Sequence, residues 1–175
     1  MYPSTEVFTM TGTRIENNMW TCYLFALFLA VAGFAIYDIF HRRVPNKALV
    51  CFLVAATLVP VIRIYFILEY SQPYLVWYVL LESMLGAVLG VAIPLAAAMV
   101  TSGSGIGGGD IKFCGVLGLV YGPSGMALIF LVAAGLTMPA ILMLRRLFRD
   151  TLPVTIPFVP FLACGCFVAT LAQLF

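Results

Sequence analysis

Long apolar runs, separated by short polar connections, dominate this chain and predict helices that span a membrane. The runs cover residues 19–36, 48–62 with an extension towards 68, 74–100, 110–121, 126–144 and 161–174. A bilayer core about 30 Å thick needs roughly 20 apolar residues in one helix, so the fourth run is short for a full crossing. Alternating ten-residue segments of the barrel type are missing. The pattern therefore predicts an all-α, polytopic membrane helix bundle with about six transmembrane helices.

The polar stretches between the runs predict how this bundle is organised. Residues 1–18 are polar and do not resemble a cleaved signal peptide, so we expect a disordered or surface-lying lead-in before a single membrane-embedded domain over 19–175. The sequence GPSG at 122–125 predicts a tight turn between the fourth and fifth helices. Small residues in the third run, Gly86 and Gly90 among them, predict close packing against another helix.

Composition supports a lipid environment and excludes several function classes. Hydrophobic residues make up 63% of the 175 positions and charged residues only 9%, against about 25% in a soluble domain. Cation runs typical of nucleic-acid binding are absent from the sequence. The five cysteines lie in or beside apolar runs without a CxxC pair, which favours small core residues over zinc ligands or disulfides. We predict neither a metal nor another cofactor.

The distribution of cations predicts the orientation of the bundle. If the helices alternate in direction, one side receives Arg42, Arg43, Lys47, Lys112, Arg145, Arg146 and Arg149. The other side receives Arg14 and Arg63. Positively charged short loops stay in the cytoplasm, so we expect both termini outside. The same layout brings Asp38 and Asp110 to the cytoplasmic face.

Asp38 and Asp110 are the residues most suited to chemistry. Two carboxylates that share a site cannot both ionise easily and so share a proton. Such a pair can deprotonate a water molecule for attack on a peptide carbonyl and can protonate the product, as in aspartic proteases. We therefore predict that these two residues form a catalytic pair.

The stretch before the second aspartate predicts a contact surface for substrate. Residues 103–112 read GSGIGGGDIK, a run of nearly bare backbone. Gly107, Gly108 and Gly109 allow another chain to approach closely, and an extended peptide could pair with this backbone. Lys112 is predicted either to meet substrate beside the cleavage point or to anchor the chain at the cytoplasmic interface.

Asp38 and Asp110 also permit non-catalytic interpretations. Asp38 could pair with Arg42 or Arg43 at a helix end, and Asp110 could be a plain helix cap. The two acids could also form an ion or proton site in a non-enzymatic scaffold or transporter.

Three further features have less specific interpretations. An intramembrane serine protease built from Ser102 or Ser104 with Lys112 or His41 is disfavoured, because the serines have no clear base. Glu82 could reach the outer interface or belong to a site. His41 itself is most simply a solvated or lipid-facing residue in a basic turn.

Three sequence motifs resemble those of the type IV prepilin peptidases and occur in the same order along the chain. Residues 107–113 read GGGDIKF and resemble the GxGD signature of that family. Residues 38–47 read DIFHRRVPNK and look like its first-aspartate motif. Residues 156–165 read IPFVPFLACG and are similar to the usual ending of the family, with Val159 where glycine is common. The resemblance covers about residues 20–175.

This resemblance implies a membrane aspartic endopeptidase without a cofactor, with Asp38 and Asp110 as its catalytic pair. Enzymes of the family remove the basic leader of type IV prepilins or pseudopilins at the cytoplasmic face of the bacterial inner membrane, before an apolar helix. Longer relatives carry an additional region with paired cysteines and also methylate the new N-terminus. This chain resembles the short form that acts only as a peptidase, so methyl transfer is not expected.

Overall fold

The structure is all-helical over the residues it describes. This computed structural model describes residues 4–41, 45–69, 74–100, 107–147 and 158–174. Its helices are α1 (Ser4–His41), α2 (Asn46–Glu69), α3 (Tyr74–Val100), α4 (Gly108–Leu147) and α5 (Val159–Leu174). Four of them are long and apolar enough to span a bilayer, and α5 is a shorter apolar helix. The protein is therefore a multi-pass membrane protein, as the apolar runs predict.

Local sequence explains where most helices begin. The third apolar run coincides with α3. Helix α2 begins directly after Pro45, whose carbonyl oxygen accepts a hydrogen bond from the Leu49 N–H at 3.0 Å. In α5, Pro160 lies in the first turn, where a missing N–H disrupts no helical hydrogen bond. Helix α1 begins at Ser4, so the backbone of residues 4–18 continues the first span as a helix.

Gly122 divides α4 into two arms, residues 108–121 and 123–147. Its φ of 66° and ψ of −175° are non-helical, and only glycine adopts that positive φ without strain. Pro123 follows directly and adds a fixed φ at the start of the second arm. The turn predicted at residues 122–125 is therefore a break at one residue.

The first arm of α4 runs in the same direction as α5. Cys114 and Cys166 lie near each other in the buried core. Further along both helices, the hydroxyl groups of Tyr121 and Thr170 are hydrogen-bonded at 2.8 Å. The Thr170 hydroxyl also donates to the Cys166 carbonyl at 2.8 Å. This buried polar link is thus satisfied by the protein, as a lipid-level site requires.

The second arm runs in the opposite direction along α5. A β-carbon added at Gly165 would lie 2.6 Å from the carbonyl oxygen of Ile129. Along the chain, Ile129 comes after Tyr121. On α5 the order is opposite, because Gly165, which contacts Ile129, comes before Thr170, which contacts Tyr121. The chain therefore reverses at Gly122, and the two arms of α4 form a helical hairpin.

Helix α3 packs on the first arm of α4 at backbone distance. A β-carbon added at Gly86 would lie 2.2 Å from the Gly118 carbonyl oxygen, and one at Gly90 would lie 2.3 Å from that of Cys114. The reciprocal positions Gly115 and Gly118 are equally tight, with their nearest atoms on Val91 and Gly86. The small face predicted on α3 is thus a close glycine interface.

An ion pair supports the end of the bundle at which α4 reverses. Arg63 on α2 and Glu82 on α3 form a salt bridge at 3.3 Å between Nη1 and Oε2. The Glu82 side chain also covers the break, because a β-carbon at Gly122 would lie 3.1 Å from Glu82 Oε1. Glu82 therefore joins three helices.

We expect the substitution Glu82→Gln to lower the free energy of unfolding by about 1–3 kcal/mol, because it removes a charge-assisted hydrogen bond. A double-mutant cycle with Arg63→Gln in detergent micelles measures this contribution. A coupling near zero would show that the pair contributes nothing to stability.

Candidate active site

Asp38 is a buried carboxylate near the end of α1. Its residue is 5% exposed, although three neighbours on the same helix end, Tyr37, Ile39 and Phe40, are exposed. Its side chain accepts a hydrogen bond from the backbone N–H of Val159, in the first turn of α5. The N–H groups in the first turn of a helix have no partner within that helix. The Asp38 carboxylate, on α1, provides such a partner for the Val159 N–H.

Asp110 lies in the first turn of α4, where local hydrogen bonds hold it. The Gly107 carbonyl oxygen accepts from the N–H groups of Asp110 and Ile111, at 3.0 and 3.3 Å. In return, the Asp110 carboxylate accepts from the Gly107 N–H. The bond from the Gly107 N–H is one half of a capping box, in which an acid at the third helical position reaches back to the cap residue; the backbone carbonyl of Gly107 takes the place of the capping side chain.

The fold brings the two aspartates to the same end of the bundle, although 71 residues lie between them in the sequence. Their carboxylates interact electrostatically. The N-terminus of α5 meets Asp38, and the N-terminus of α4 carries Asp110, so the positive ends of two helix dipoles face one site. The site consequently combines two carboxylates with the N-terminal ends of two helices and the exposed backbone of Gly107 and Gly108.

Three aromatic rings brace the helices that carry this pair. Phe113 on α4 is fully buried and has its ring centroid 5.3 Å from Phe34 on α1 and 5.7 Å from Phe52 on α2. Phe34 and Phe52 are 5.5 Å apart. Aromatic pairs at such distances stabilise packing beyond the area that they bury. This cluster fixes α1 relative to α4 one turn inside the aspartates.

The other predicted site residues lie around Asp110. Gly107 and Gly108 are exposed and Gly109 is half-buried, so part of the glycine backbone remains accessible. Lys112 is exposed and makes no described hydrogen bond or ion pair. A β-carbon at Gly108 would meet no other atom within 4 Å. The described glycines therefore border open space beside the carboxylate.

Several alternatives can now be compared with the geometry. Glu82 lies at the opposite end of the bundle from the aspartates, beside Gly122. His41 is exposed and stacks on Tyr37, with ring centroids 4.2 Å apart. Over the described ranges, the side chains form no group of three potential ligands able to hold a metal ion. The proposed partners of Asp38 at 42 and 43, and the serines at 102 and 104, lie outside the described residues.

Sequence reasoning missed the contribution of Val159. A backbone N–H has no signature of its own, but the proline-rich segment before α5 does signal where a helix starts. Phe158 precedes α5 and accepts from the N–H groups of Phe161 and Leu162, at 3.1 and 3.3 Å. Because the Val159 N–H takes no part in these bonds, it is available to the carboxylate of Asp38.

Comparison with known proteins identifies one family and one curated relative. The family model for the type IV leader peptidases matches residues 22–143, which include both aspartates. The chain is 31% identical to "Prepilin leader peptidase/N-methyltransferase" of Bacillus subtilis (strain 168), over 98% of this chain and 66% of the relative. The chain thus spans slightly less than two thirds of that protein. No solved structure matches.

Proposed function

This chain belongs to the type IV leader peptidase family, and we propose that it is a membrane aspartic endopeptidase that removes the basic leader of type IV prepilins or pseudopilins. The observation that carries the proposal is that the carboxylates of Asp38 and Asp110 lie within electrostatic range of each other at one end of the bundle. In the proposed enzyme, these two residues are the catalytic pair and no metal or other cofactor takes part.

The proposed reaction uses one proton between two carboxylates. The ionised aspartate accepts a proton from a water molecule, and the resulting hydroxide attacks the scissile peptide carbonyl. The protonated aspartate donates a hydrogen bond to the carbonyl oxygen and stabilises the negative charge that develops there. Collapse of the tetrahedral intermediate transfers a proton to the leaving amine. Water is consumed, and a new carboxylate and a new N-terminus are the products.

Local geometry orients both carboxylates in the same way. Each carboxylate accepts one hydrogen bond from a backbone N–H, Asp38 from Val159 and Asp110 from Gly107. Those bonds orient the side chains without adding a second charged group. The N–H of the exposed Gly108, at the start of α4, has no partner within that helix and can pair with an extended peptide. Lys112 stands two residues from the Asp110 carboxylate.

We further propose six crossings with the aspartates facing the cytoplasm of a bacterial inner membrane. Counting the two arms of α4 separately gives six alternating helices. The first arm has about 14 residues and a length of about 21 Å, so it crosses only with its ends near the interface. Exposed cations at the aspartate end, Lys47, Lys112 and Arg146, favour the cytoplasmic side.

A cleavage assay with purified protein tests the proposal. The substrate is a prepilin with a basic leader and a glycine directly before its apolar helix, and the control substrate lacks the leader. We expect a gel to show a single cut in the first substrate and none in the second. Parallel proteoliposomes report proton or ion flux. Flux without cleavage would replace the peptidase by the transporter interpretation.

Two controls distinguish the proposed hydrolysis by aspartates from a serine mechanism and from methyl transfer. Cleavage should persist with a serine-directed inhibitor, and its loss would favour a serine nucleophile. The proposal concerns peptide hydrolysis alone. A labelled methyl donor added to the same reaction tests for transfer to the new N-terminus, and we expect no incorporation.

A further inference from the structure

An apolar groove lies between α1 and α2, at the end of the bundle that holds the aspartates. Its volume is about 250 Å³, and its lining consists of Ala30, Gly33, Phe34, Tyr37, Pro45 and Ala48. Here it is called the α1/α2 groove. Tyr37 directly precedes Asp38, so the groove ends beside the candidate active site. The groove is part of neither the aspartate pair nor the glycine backbone that precedes Asp110.

The groove lies beside one buried core, to which α1 and α2 both contribute. Buried residues of α1 such as Val31 and Ala35 join a core shared with α4 and α5. The two helices meet near Tyr23, whose hydroxyl donates to the Ala55 carbonyl. Phe34 and Phe52 also make contact, on the core side. Towards Tyr37 and Pro45 the two helices leave the groove between them.

The lining identifies the chemistry of the occupant. Helices associate in membranes where small residues let backbones approach, and Ala30, Gly33 and Ala48 form such a small surface. A β-carbon at Gly33 would have no atom within 4 Å, so the space above it is open. The volume is below the range of about 300–1,000 Å³ of small-molecule sites. It suits a few side chains from one apolar helix.

We infer that the α1/α2 groove binds the apolar transmembrane helix of the substrate and holds the adjoining cleavage point beside Asp38. This inference rests on the proposed peptidase function and adds a docking surface to it. The groove and the aspartates share one rigid support, because Phe34 lines the groove and packs on Phe113, which follows Asp110 by one helical turn. A helix seated in the groove is therefore held in register with both carboxylates.

A matched pair of glycine variants tests the docking surface. Gly33→Leu extends a side chain into the groove from a position where a β-carbon meets no atom within 4 Å, and Gly135→Leu places the same side chain on another exposed glycine with equally open space at its β-carbon. Two substrates are compared, one with leader and apolar helix and one with leader and cleavage sequence only. We expect Gly33→Leu to lower kcat/KM at least tenfold for the helical substrate, mainly through KM. The short substrate should change less than twofold, and Gly135→Leu should change neither.

Other outcomes would overturn the docking inference. Equal losses for both substrates would indicate general damage, and no loss for either would indicate a lipid-filled groove. If the wild-type protein cleaves neither substrate, the peptidase proposal fails, and docking is then judged by cross-linking alone. For this, Gly33→Cys is introduced after the exposed Cys22, Cys51 and Cys164 are replaced by serine. A disulfide to a single cysteine in the substrate helix supports the inference, whereas disulfide-linked copies of this chain, or no product, refute it.

Discussion

Replacement of Asp38 or Asp110 by asparagine is expected to abolish leader cleavage, with a loss of at least about 100-fold for each variant. The amide keeps the size of the side chain and still accepts the hydrogen bond from Val159 or Gly107. It cannot accept a proton from water or donate a carboxylic proton. The cleavage assay with the basic-leader substrate measures the loss, and circular dichroism and thermal unfolding in micelles verify that each variant remains folded.

Glu82→Gln is the matched control, because it makes the same change of carboxylate to amide on a membrane helix at the opposite end of the bundle. We expect it to keep cleavage within about threefold under conditions where it is folded. Near-normal cleavage by either aspartate variant would exclude the catalytic pair. An equal loss in Glu82→Gln would show that the assay reports stability rather than chemistry.

The second large effect is expected at the glycine interface of α3 and α4. A β-carbon at Gly118 would lie 2.0 Å from the Gly86 carbonyl oxygen and 2.8 Å from the Ala87 nitrogen, and both are backbone atoms that no rotamer change can move. The substitution Gly118→Ala therefore forces two helices apart. We expect the free energy of unfolding to fall by about 1–3 kcal/mol or more. Such a loss is a large part of the total of about 5–15 kcal/mol typical of proteins.

Gly135→Ala is the control for this prediction. It makes the same substitution on the second arm of α4, where a β-carbon meets no atom within 4 Å. Because alanine favours a helix over glycine by about 1 kcal/mol, this variant should be neutral or more stable. Unfolding by denaturing detergent measures both. If the two variants behave alike, the close approach of α3 and α4 contributes little to stability.

Displacement of the first arm would also reach the site, because that arm begins with Asp110. We therefore expect Gly118→Ala to reduce cleavage together with stability. The packing of α3 on α4 therefore also determines the position of Asp110 relative to Asp38.

The apolar pattern predicts the helices well because the signal for a membrane span is local. Residues 74–100 coincide with α3, and the position of the break at Gly122 follows from a glycine beside a proline. The start of α1 is different. Composition separates residues 1–18 from the first apolar run, yet α1 begins at Ser4, since a helical backbone does not have to end where polarity changes.

The candidate site is less predictable from the sequence. The charge pattern and the motifs single out Asp38 and Asp110, and both are acids in apolar surroundings. Their hydrogen-bond partners are backbone N–H groups, which every residue except proline possesses. Only packing decides that Val159, rather than a nearby arginine, is the described partner of Asp38.

By itself, the sequence determined the membrane environment, the approximate spans and the two acids that could carry chemistry. These properties depend on side-chain composition within one helix or one loop, and transfer into lipid is decided segment by segment. The tertiary structure decided which helix packs on the glycines of α3, which helix ends lie at the aspartates and where the groove beside Tyr37 forms. Those features arise from contacts between distant segments, where the approach of two backbones depends on every side chain between them.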